Sequence, residues 1–477
     1  MSGGVKEAGA QYQISRHPRA EPVPSEGGDG NPVEVDACPA GYKQTEVGMI
    51  PKNWELTKID EVVKRGWIDK PLDGNHGDIH PKSGDFVNSG IPFVMANNLK
   101  NGKVDITNCS FIKKEQADSL QKGFSNIGDV LLTHKATIGN TAVVGELPCE
   151  YIMLTPQVTY YRVLNNDVLN NHYLRHYMDG NVFQAILETN SGGGTRSYIG
   201  ITAQRQLPIV IPPIKEQTSI ANALSDVDAL ITSLEKLITK KRAIKTVAMQ
   251  QLLTGKKRLP PFDKTHTGYK QTELGEIPED WEVLTIHDVA NVKGGKRLPK
   301  GELLLKTPTK HPYIRVADMY VGGVDLSDIR YVPEHVAPII KNYRIKSEDL
   351  FISVAGTLGI VGKVREELDG ANLTENADKI TDIKADKDYL LYWLMTEKIQ
   401  SEIESQSTVG AQPKLALGRI ENFQIAFPNT TEEQVKISGV LTDMDKESEA
   451  LQQRLSKTQQ LKQGMMQELL TGKTRLV

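Results

Sequence analysis

The sequence predicts an α+β protein built as a tandem repeat, in which two mixed α/β domains are separated by two long helices that pair as an antiparallel coiled coil. A fifteen-residue segment near the N-terminus recurs 227 residues later. A longer segment with coiled-coil spacing also occurs twice, and β-prone runs fill the sequence between the repeated segments. We therefore expect two copies of one unit, related by a pseudo-twofold axis.

Composition excludes several classes of protein. The 477 residues carry a net charge of −3, which excludes a histone-like protein that binds nucleic acid through bulk charge. Three cysteines, Cys38, Cys109 and Cys149, are too few and too scattered for a disulfide framework or a cysteine-rich zinc site. No run approaches the ~18 apolar residues of a membrane-spanning helix, and the N-terminus lacks an apolar signal core. The sequence thus predicts a cytoplasmic protein without membrane contact.

The first 40 residues differ in composition from the rest of the chain. Pro, Gly and charged residues replace any periodic pattern of apolar residues, and Asp and Glu outnumber Lys and Arg by six to three. Such a segment cannot bury enough apolar surface to fold on its own. We predict a disordered N-terminal extension over residues 1–40.

Each unit begins with the same fifteen-residue opening motif. Residues 41–55 and 268–282 are identical at 11 of 15 positions, among them Gly-Tyr-Lys-Gln-Thr-Glu, Ile-Pro and Trp-Glu. This degree of identity indicates a duplication and not a chance similarity. The first opening motif starts a domain that we predict over residues 41–213, and the second follows a linker within a region predicted over residues 259–428.

Each unit ends in a predicted long helix, at residues 214–258 and 429–477. Apolar residues recur there in alternating steps of four and three, the spacing of a coiled-coil seam. Both segments finish with Leu-Leu-Thr-Gly-Lys-x-Arg-Leu, whose glycines, Gly255 and Gly472, stop the helix. Helices of about 39 residues would be ~58 Å long and would hold the two domains apart. Docking of each helix on its own domain, or on a separate partner chain, is the alternative.

The two domains match only thinly between these repeated segments. Residues 129–139 align with 349–359 around a Thr-x-Gly turn, whereas most other positions differ. β-prone runs alternate with Gly and Asn turns, and helical stretches at 171–185 and 387–404 interrupt them. We expect a twisted sheet with flanking helices in each domain. The divergence indicates two different readers on one scaffold, or drift of one domain that lost its role.

No complete catalytic or metal-binding motif is found in the sequence. Residues 356–363 have five residues between the glycines of a phosphate loop, where four are needed, and lack the final Ser or Thr. His172 and His176 have the spacing of zinc ligands, but Tyr173 replaces the general-base Glu, so surface histidines are expected. Residues 259–262 lack the hydrogen-bond acceptor of an amino-methyltransferase motif. We predict no catalytic residue, no metal site and no cofactor bound by this chain.

The opening motif, the Thr-x-Gly turns at Thr137 and Thr357, the Glu-Gln start of each helix and its Leu-Leu-Thr-Gly-Lys ending together resemble the DNA specificity subunit of type I restriction–modification systems. The resemblance spans nearly all of residues 41–477. It implies two target-recognition domains, each reading one half of a bipartite site in double-stranded DNA. It also implies that the paired helices dock the modification subunits and set the spacer between the half-sites.

The resemblance assigns the chemistry to other chains. It implies a non-catalytic subunit, with adenine methylation and S-adenosylmethionine belonging to two modification (methyltransferase) subunits. ATP- and Mg-dependent translocation and cleavage would belong to restriction subunits. The competing interpretation is a coiled-coil interaction scaffold that never binds DNA.

Residues expected to contact DNA lie on or beside turns of the two domains and in the middle of the first long helix. A bipartite reader needs polar side chains at base edges and cations at phosphates. In the helix, a basic cluster around Lys240 would lie over the spacer DNA, or would be no more than a solvated helix face. The predicted DNA contacts are Asn98, Lys135, Arg196, Lys241, Arg242, Arg315, Gln412 and Lys414.

Overall fold

The computed structural model describes residues 38–192, 197–264, 268–405 and 414–476. Almost all of the predicted extension over residues 1–40 lies outside these ranges, as do Arg196 and Gln412. None of the described helices combines the length and the apolarity needed to cross a bilayer.

The first unit consists of short strands and helices followed by one long helix. Its strands are β1 (Tyr42–Thr45), β2 (Gly48–Pro51), β3 (Glu55–Lys58), β4 (Leu72–Asp73), β5 (Phe86–Val87), β6 (Ile91–Val94), β7 (Leu99–Lys100), β8 (Gly102–Val104), β9 (Ser110–Ile112), β10 (Phe124–Ser125), β11 (Val130–Lys135), β12 (Thr137–Val143), β13 (Ile152–Leu154), β14 (Val158–Tyr161) and β15 (Pro208–Ile211). Its helices are α1 (Ile59–Lys64), α2 (Lys114–Asp118), α3 (Asn171–Asp179), α4 (Asn181–Asn190), α5 (Ile201–Gln204) and α6 (Ile214–Leu252).

The second unit follows the same order. Its strands are β16 (Tyr269–Thr272), β17 (Gly275–Pro278), β18 (Glu282–Thr285), β19 (Asn291–Gly294), β20 (Pro312–Ile314), β21 (Met319–Tyr320), β22 (Gly323–Val324), β23 (Arg330–Tyr331), β24 (Arg344–Ile345), β25 (Leu350–Ser353), β26 (Val361–Lys363), β27 (Ala371–Leu373), β28 (Ala377–Thr381) and β29 (Gln424–Phe427). Its helices are α7 (Ile286–Val289), α8 (Lys387–Leu394), α9 (Glu397–Ser405), α10 (Leu417–Glu421) and α11 (Thr431–Leu469).

Both domains have the same sheet topology although their sequences have diverged. The first domain has one sheet ordered β4-β14-β11-β12-β8-β7 and another ordered β10-β13-β6-β9-β5. The second has the equivalent sheets β19-β28-β25-β26 and β23-β20-β27-β24, and in both domains the central pair of the second sheet is parallel. The expectation of a single twisted sheet in each domain was therefore incomplete, because each domain contains these two sheets and short two-stranded ones besides.

The central strand β11 lies between two apolar cores. Leu132 packs with Leu174 of α3 and with Leu224 of the long helix α6. Leu131 points to the opposite face and packs with Leu154 of the other sheet. Successive residues of a strand face opposite sides, so a run of apolar residues is what a strand buried on both faces requires. The second domain uses β25 in the same way.

The two long helices pair as an antiparallel coiled coil, which confirms the predicted fold class. Val227, Ile231, Leu234 and Ile238 of α6 pack against Leu451 and Leu455 of α11. Each helix spans 39 residues and is followed by a glycine with positive φ, which an L side chain rarely adopts. The predicted stop at Gly255 and Gly472 is thereby explained.

Lysines occupy the seam positions where the apolar pattern weakens. Lys245 of α6 lies 2.5 Å from Asp445 of α11, and Lys462 of α11 lies 2.9 Å from Asp228 of α6. The two ion pairs are equivalent under the 217-residue repeat, so they obey the pseudo-twofold symmetry. Each pair is satisfied only in one alignment of the two helices, and together they specify the antiparallel register.

Each opening motif packs against the end of the other unit's long helix. The Tyr42 hydroxyl donates to the carbonyl oxygen of Gly472 at 2.8 Å, and Arg475, just beyond α11, binds Glu216 at the start of α6. The symmetric contact joins Arg258, beyond α6, to Glu433 near the start of α11. The two units are thus connected at both ends of the helix pair.

Two local expectations were wrong. The helical stretches predicted over 171–185 and 387–404 are each two helices: α3 and α4, which meet at Gly180 in an extended conformation, and α8 and α9. His176 was expected on the surface, yet it is buried against α6, where burial lowers its pKa to about 3. A histidine that is neutral in this environment serves packing and hydrogen bonding, with Ser225 within 3.2 Å of its ring Nε2.

Candidate DNA interface

Three turns and Tyr198 meet at one end of the first domain's six-stranded sheet, which contains β4, β14 and β11. The backbone N–H of Gly74 donates to the Thr155 carbonyl oxygen, and that of His134 donates to Gln157. Lys135 forms an isolated β-bridge with Tyr198, which directly follows the segment containing Arg196. We call this the turn surface of the first domain, and it comprises residues 74–76, 134–137, 155–157 and Tyr198.

The second domain has an equivalent turn surface. The N–H of Gly295 donates to Ala377, and that of Val354 donates to Asn376. Ala355, at the position of Lys135, forms a β-bridge with Lys414. This turn surface comprises residues 295–297, 354–357, 374–376 and Lys414. The two domains therefore bring the same four segments together with different side chains.

A glycine is required where each turn surface begins. A Cβ on Gly74 would lie 1.9 Å from the carbonyl oxygen of Leu154, and a Cβ on Gly295 would lie 2.0 Å from that of Thr374. Any side chain at either position would collide with backbone. The close approach of the two turns explains why these glycines occur at equivalent places in otherwise different sequences.

A buried carboxylate lies beside each turn surface but comes from a different strand in each domain. In the first domain Asp73 of β4 is opposite Thr159 of β14, and in the second Gly294 of β19 is opposite Asp378 of β28. Directly opposed residues of an antiparallel pair project to the same face, so both carboxylates point to the same side of the sheet. A carboxylate therefore occupies the same place in both folds, although β4 supplies it in the first domain and β28, the equivalent of β14, supplies it in the second.

The two carboxylates have different electrostatic surroundings. Asp73 is bound by Lys122 and lies 2.7 Å from the Nε2 of His76; burial alone would raise its pKa, but these partners lower it. The carboxylate of Asp378 has no hydrogen-bond or ion-pair partner among the described residues. Burial raises its pKa to about 6, against a small opposing effect of Lys414. The second domain thus contains a buried acid that lacks a donor in the described part of the chain.

Two of the predicted DNA contacts lie on the turn surfaces. Lys135 and Lys414 are exposed, and within the described ranges neither forms an ion pair. Arg196 and Gln412 fall outside the described residues, two positions before Tyr198 and Lys414 respectively in the sequence. DNA contact by these four residues remains a prediction. The bridge of Lys135 with Tyr198 and the bridge of Ala355 with Lys414 lie at equivalent places in the two domains.

Asn98 and Arg315 have structural contacts that occupy their polar groups. Asn98 is buried, and its side chain accepts from the N–H of Met95 and donates to the carbonyl oxygen of Asn108. Arg315 binds Asp318 and also Asp328. The structure therefore gives both side chains a role in closing a short 3₁₀ turn, a role that their sequence position beside a turn did not reveal.

The basic cluster on α6 is partly neutralised by the paired helix. Lys241 forms an ion pair of 2.7 Å with Glu447 of α11, and an Nη of Arg242 lies 3.5 Å from the Gln452 side-chain oxygen. Lys240 is exposed, with no ion pair in the part of the chain that the structure describes. The charge available to spacer DNA is smaller than the sequence indicates.

A basic loop that no sequence motif indicated starts at the second turn surface. Between β19 and β20, residues 295–310 contain five cations and one acid. The equivalent loop of the first domain, residues 74–90, contains one lysine and two aspartates. A comparison of charge between the two units would have found this difference. Among the described residues, no group of His, Cys, Asp and Glu is arranged to bind a metal ion.

Comparison with known proteins identifies the family. Residues 51–245 and 278–462 each match the type I restriction modification DNA specificity domain. The chain is 27% identical over 454 residues to the putative type I restriction enzyme MjaX specificity subunit of Methanocaldococcus jannaschii, which covers 91% of this chain and 97% of that protein. It is 24% identical over 448 residues to the MjaVIII specificity subunit of the same organism, covering 91% and 96%.

The fold is also similar to that of a solved relative. The type I restriction–modification S subunit from M. genitalium superposes with a TM-score of 0.54 at 17% identity, covering 87% of this chain and 96% of that one. The two family matches cover most of both domains and of both long helices. Since the two domain matches together cover more than half of its residues, the chain belongs to the type I restriction modification DNA specificity family.

Proposed function

We propose that this protein is the specificity subunit of a type I restriction–modification complex, and that each domain reads one half of a bipartite DNA site with its turn surface. The observation that carries the proposal is the occurrence of the same four-segment surface in two domains of one topology. Equivalent placement would bring both surfaces to the duplex in a symmetric way. Different side chains on them would read different bases.

Within this proposal, Lys135 and Lys414 contact the DNA backbone or a base edge, together with Arg196 and Gln412. Exposed cations without an internal partner lose little on binding, because no existing ion pair must be broken. The partly neutralised Lys241 and Arg242 contribute less to the duplex than to the helix pair. Asn98 and Arg315 act by fixing the shape of their turns.

The partners are proposed from the long helices. Leu230, Leu237 and Ile244 of α6 recur every seven residues, and each is 38% to 43% exposed. An exposed apolar stripe with heptad spacing supports docking of another helical protein, here a modification subunit. In such a complex this chain is non-catalytic, and S-adenosylmethionine, ATP and Mg²⁺ belong to the modification and restriction subunits.

A domain exchange tests the two-reader proposal. Residues 56–210 would be replaced by those of a relative with a different target, the chain would be co-expressed with its modification subunits, and methylated adenines in the host genome would be sequenced. One half of the methylated consensus should change and the other should stay the same. A change in both halves would contradict independent readers. Methylation that did not depend on either domain would favour a scaffold without a reading role.

A further inference from the structure

The most asymmetric feature of the two domains is the charge of the loop that leaves each turn surface. With histidine neutral, residues 295–310 of the second domain carry a net charge of +4, and residues 74–90 of the first carry −1. Both loops join equivalent strands and begin at equivalent glycines. The difference therefore concerns the same place on two domains of the same topology.

The backbone of the basic loop is fixed at several points. The Tyr313 hydroxyl donates to the carbonyl oxygen of Lys296 at 2.9 Å, and Leu305 exchanges two backbone hydrogen bonds with Tyr331. Leu298 and Leu304 pack on a buried cluster of the second domain. The cationic side chains are therefore carried on an ordered segment, so little conformational entropy of the backbone would be lost on binding.

Apart from Arg297, the cations of this loop form no ion pair in the part of the chain that the structure describes, and the nearby acids are paired. Glu302 pairs with His335, Glu334 with His311, and Glu375 with Arg297. Lys296 lies over the Tyr343 ring. The other three lysines, Lys300, Lys306 and Lys310, have exposed side chains without an ion pair in the described ranges. A surface with three such ammonium groups on an ordered backbone fits a polyanion.

We propose that the basic loop, residues 295–310, contacts DNA phosphates beside the half-site of the second domain, so that this domain supplies the larger share of the salt-dependent affinity. This rests on the proposed DNA-reading function. Phosphate contacts carry no base information. The second domain would hold the duplex in place through ionic contacts, while the first domain discriminates its half-site with a loop that adds almost no ionic attraction.

The test uses the full chain co-purified with its modification subunits. Two DNA duplexes are compared: one carries the consensus sequence found around methylated adenines in the host genome, and the other has both half-sites scrambled. The variant is Lys300→Gln, Lys306→Gln and Lys310→Gln combined. The matched control changes three exposed lysines of the first unit without ion pairs among the described residues: Lys52, Lys103 and Lys113. Duplex affinity is measured over a range of salt concentrations for both variants and the wild type.

Loss of three phosphate contacts should flatten the slope of log K against log salt by about 2.7, and should weaken binding about a hundredfold at ~0.1 M salt. The loss should be the same for both duplexes, and the thermal unfolding midpoint should not change. The control should keep a slope close to wild type. A wild-type slope in the loop variant, or equal flattening in both variants, would overturn the inference. If the wild-type complex bound neither duplex, the proposed function itself would fail.

Discussion

Replacing Arg258 by Met should lower the free energy of unfolding more than the equivalent replacement of Arg475 at the other end of the helix pair. Arg258 donates from Nε and Nη2 to the two carboxylate oxygens of Glu433 at 2.8 and 2.7 Å, and its third nitrogen lies 3.0 Å from Asp280. The side chains of the central pair are only 5% and 2% exposed. Met keeps the apolar stem but leaves the Glu433 carboxylate buried without a side-chain donor in the described contacts, which costs about 3 to 5 kcal/mol.

The duplication supplies the control. At the other end, Arg475 binds Glu216, but that carboxylate also accepts a hydrogen bond of 2.9 Å from the Trp54 indole. The equivalent indole nitrogen of Trp281 has no hydrogen-bond partner among the residues that the structure describes. Arg475 is also 28% exposed, so solvent replaces part of what is lost. Arg475→Met should therefore cost less, about 1 to 2 kcal/mol.

Urea unfolding followed by tryptophan fluorescence measures both losses on the full chain. A third variant, Arg258→Met with Glu433→Leu, should recover much of the stability, because the uncompensated charge is gone. Equal losses for the two arginine variants, or a loss below about 1 kcal/mol for Arg258→Met, would show that burial of the Arg258–Glu433 pair does not increase the stability cost of removing the arginine.

Three further predictions concern pH, DNA contact and the helices. Asp378→Asn should stabilise the protein above pH 6 by up to about 3 kcal/mol and have no effect near pH 4. The reason is that the pKa of Asp378 is about 6 in the folded state and ordinary when unfolded, so the wild type loses stability as pH rises between the two values; thermal unfolding at several pH values measures this, and a benefit that did not vary with pH would contradict it. Lys135→Gln and Lys414→Gln should each flatten the salt dependence of duplex binding by about 0.9. A phosphate contact leaves the sequence preference unchanged and a base contact relaxes it; an unaltered slope in binding titrations would remove that residue from the interface. Seven residues inserted after both Leu234 and Leu451 should keep the seam and lengthen the helix pair by ~10 Å, or about three base pairs of DNA. Both helices must be extended because the contacts at the two ends connect them; the methylated consensus should then show a longer spacer between unchanged half-sites, and an unchanged spacer would mean that the partner subunits set the distance.

Periodic and repeated features were predictable because each depends on residues close together in the chain. The heptad spacing of α6 and α11 predicted a paired coil, and the repeated Leu-Leu-Thr-Gly predicted where each helix ends. The antiparallel direction followed from the duplication. The lysines that interrupt the apolar seam are explained by the structure, because Lys245 and Lys462 form ion pairs with Asp445 and Asp228 of the paired helix.

The candidate interface was only partly predictable because it is assembled from distant segments. Lys135 and Lys414 lie on the turn surfaces, as their positions beside turns indicated. Asn98 and Arg315 are also polar residues beside turns, yet their polar groups form hydrogen bonds within 3₁₀ turns. His176 could not be distinguished from an exposed helix histidine until the packing of α3 on α6 was known.

By itself the sequence determined the two-unit plan, the length and ends of the long helices, and the family resemblance, because these are recorded in local periodicity and in repeated residues. Tertiary structure alone decided which side chains meet. It showed that both diverged domains keep one topology, and that a buried acid moved from Asp73 on one strand to Asp378 on its neighbour. The physical reason is that opposed residues of an antiparallel pair project to the same face, so either strand can place a carboxylate at the same point. A linear sequence records only position along the chain.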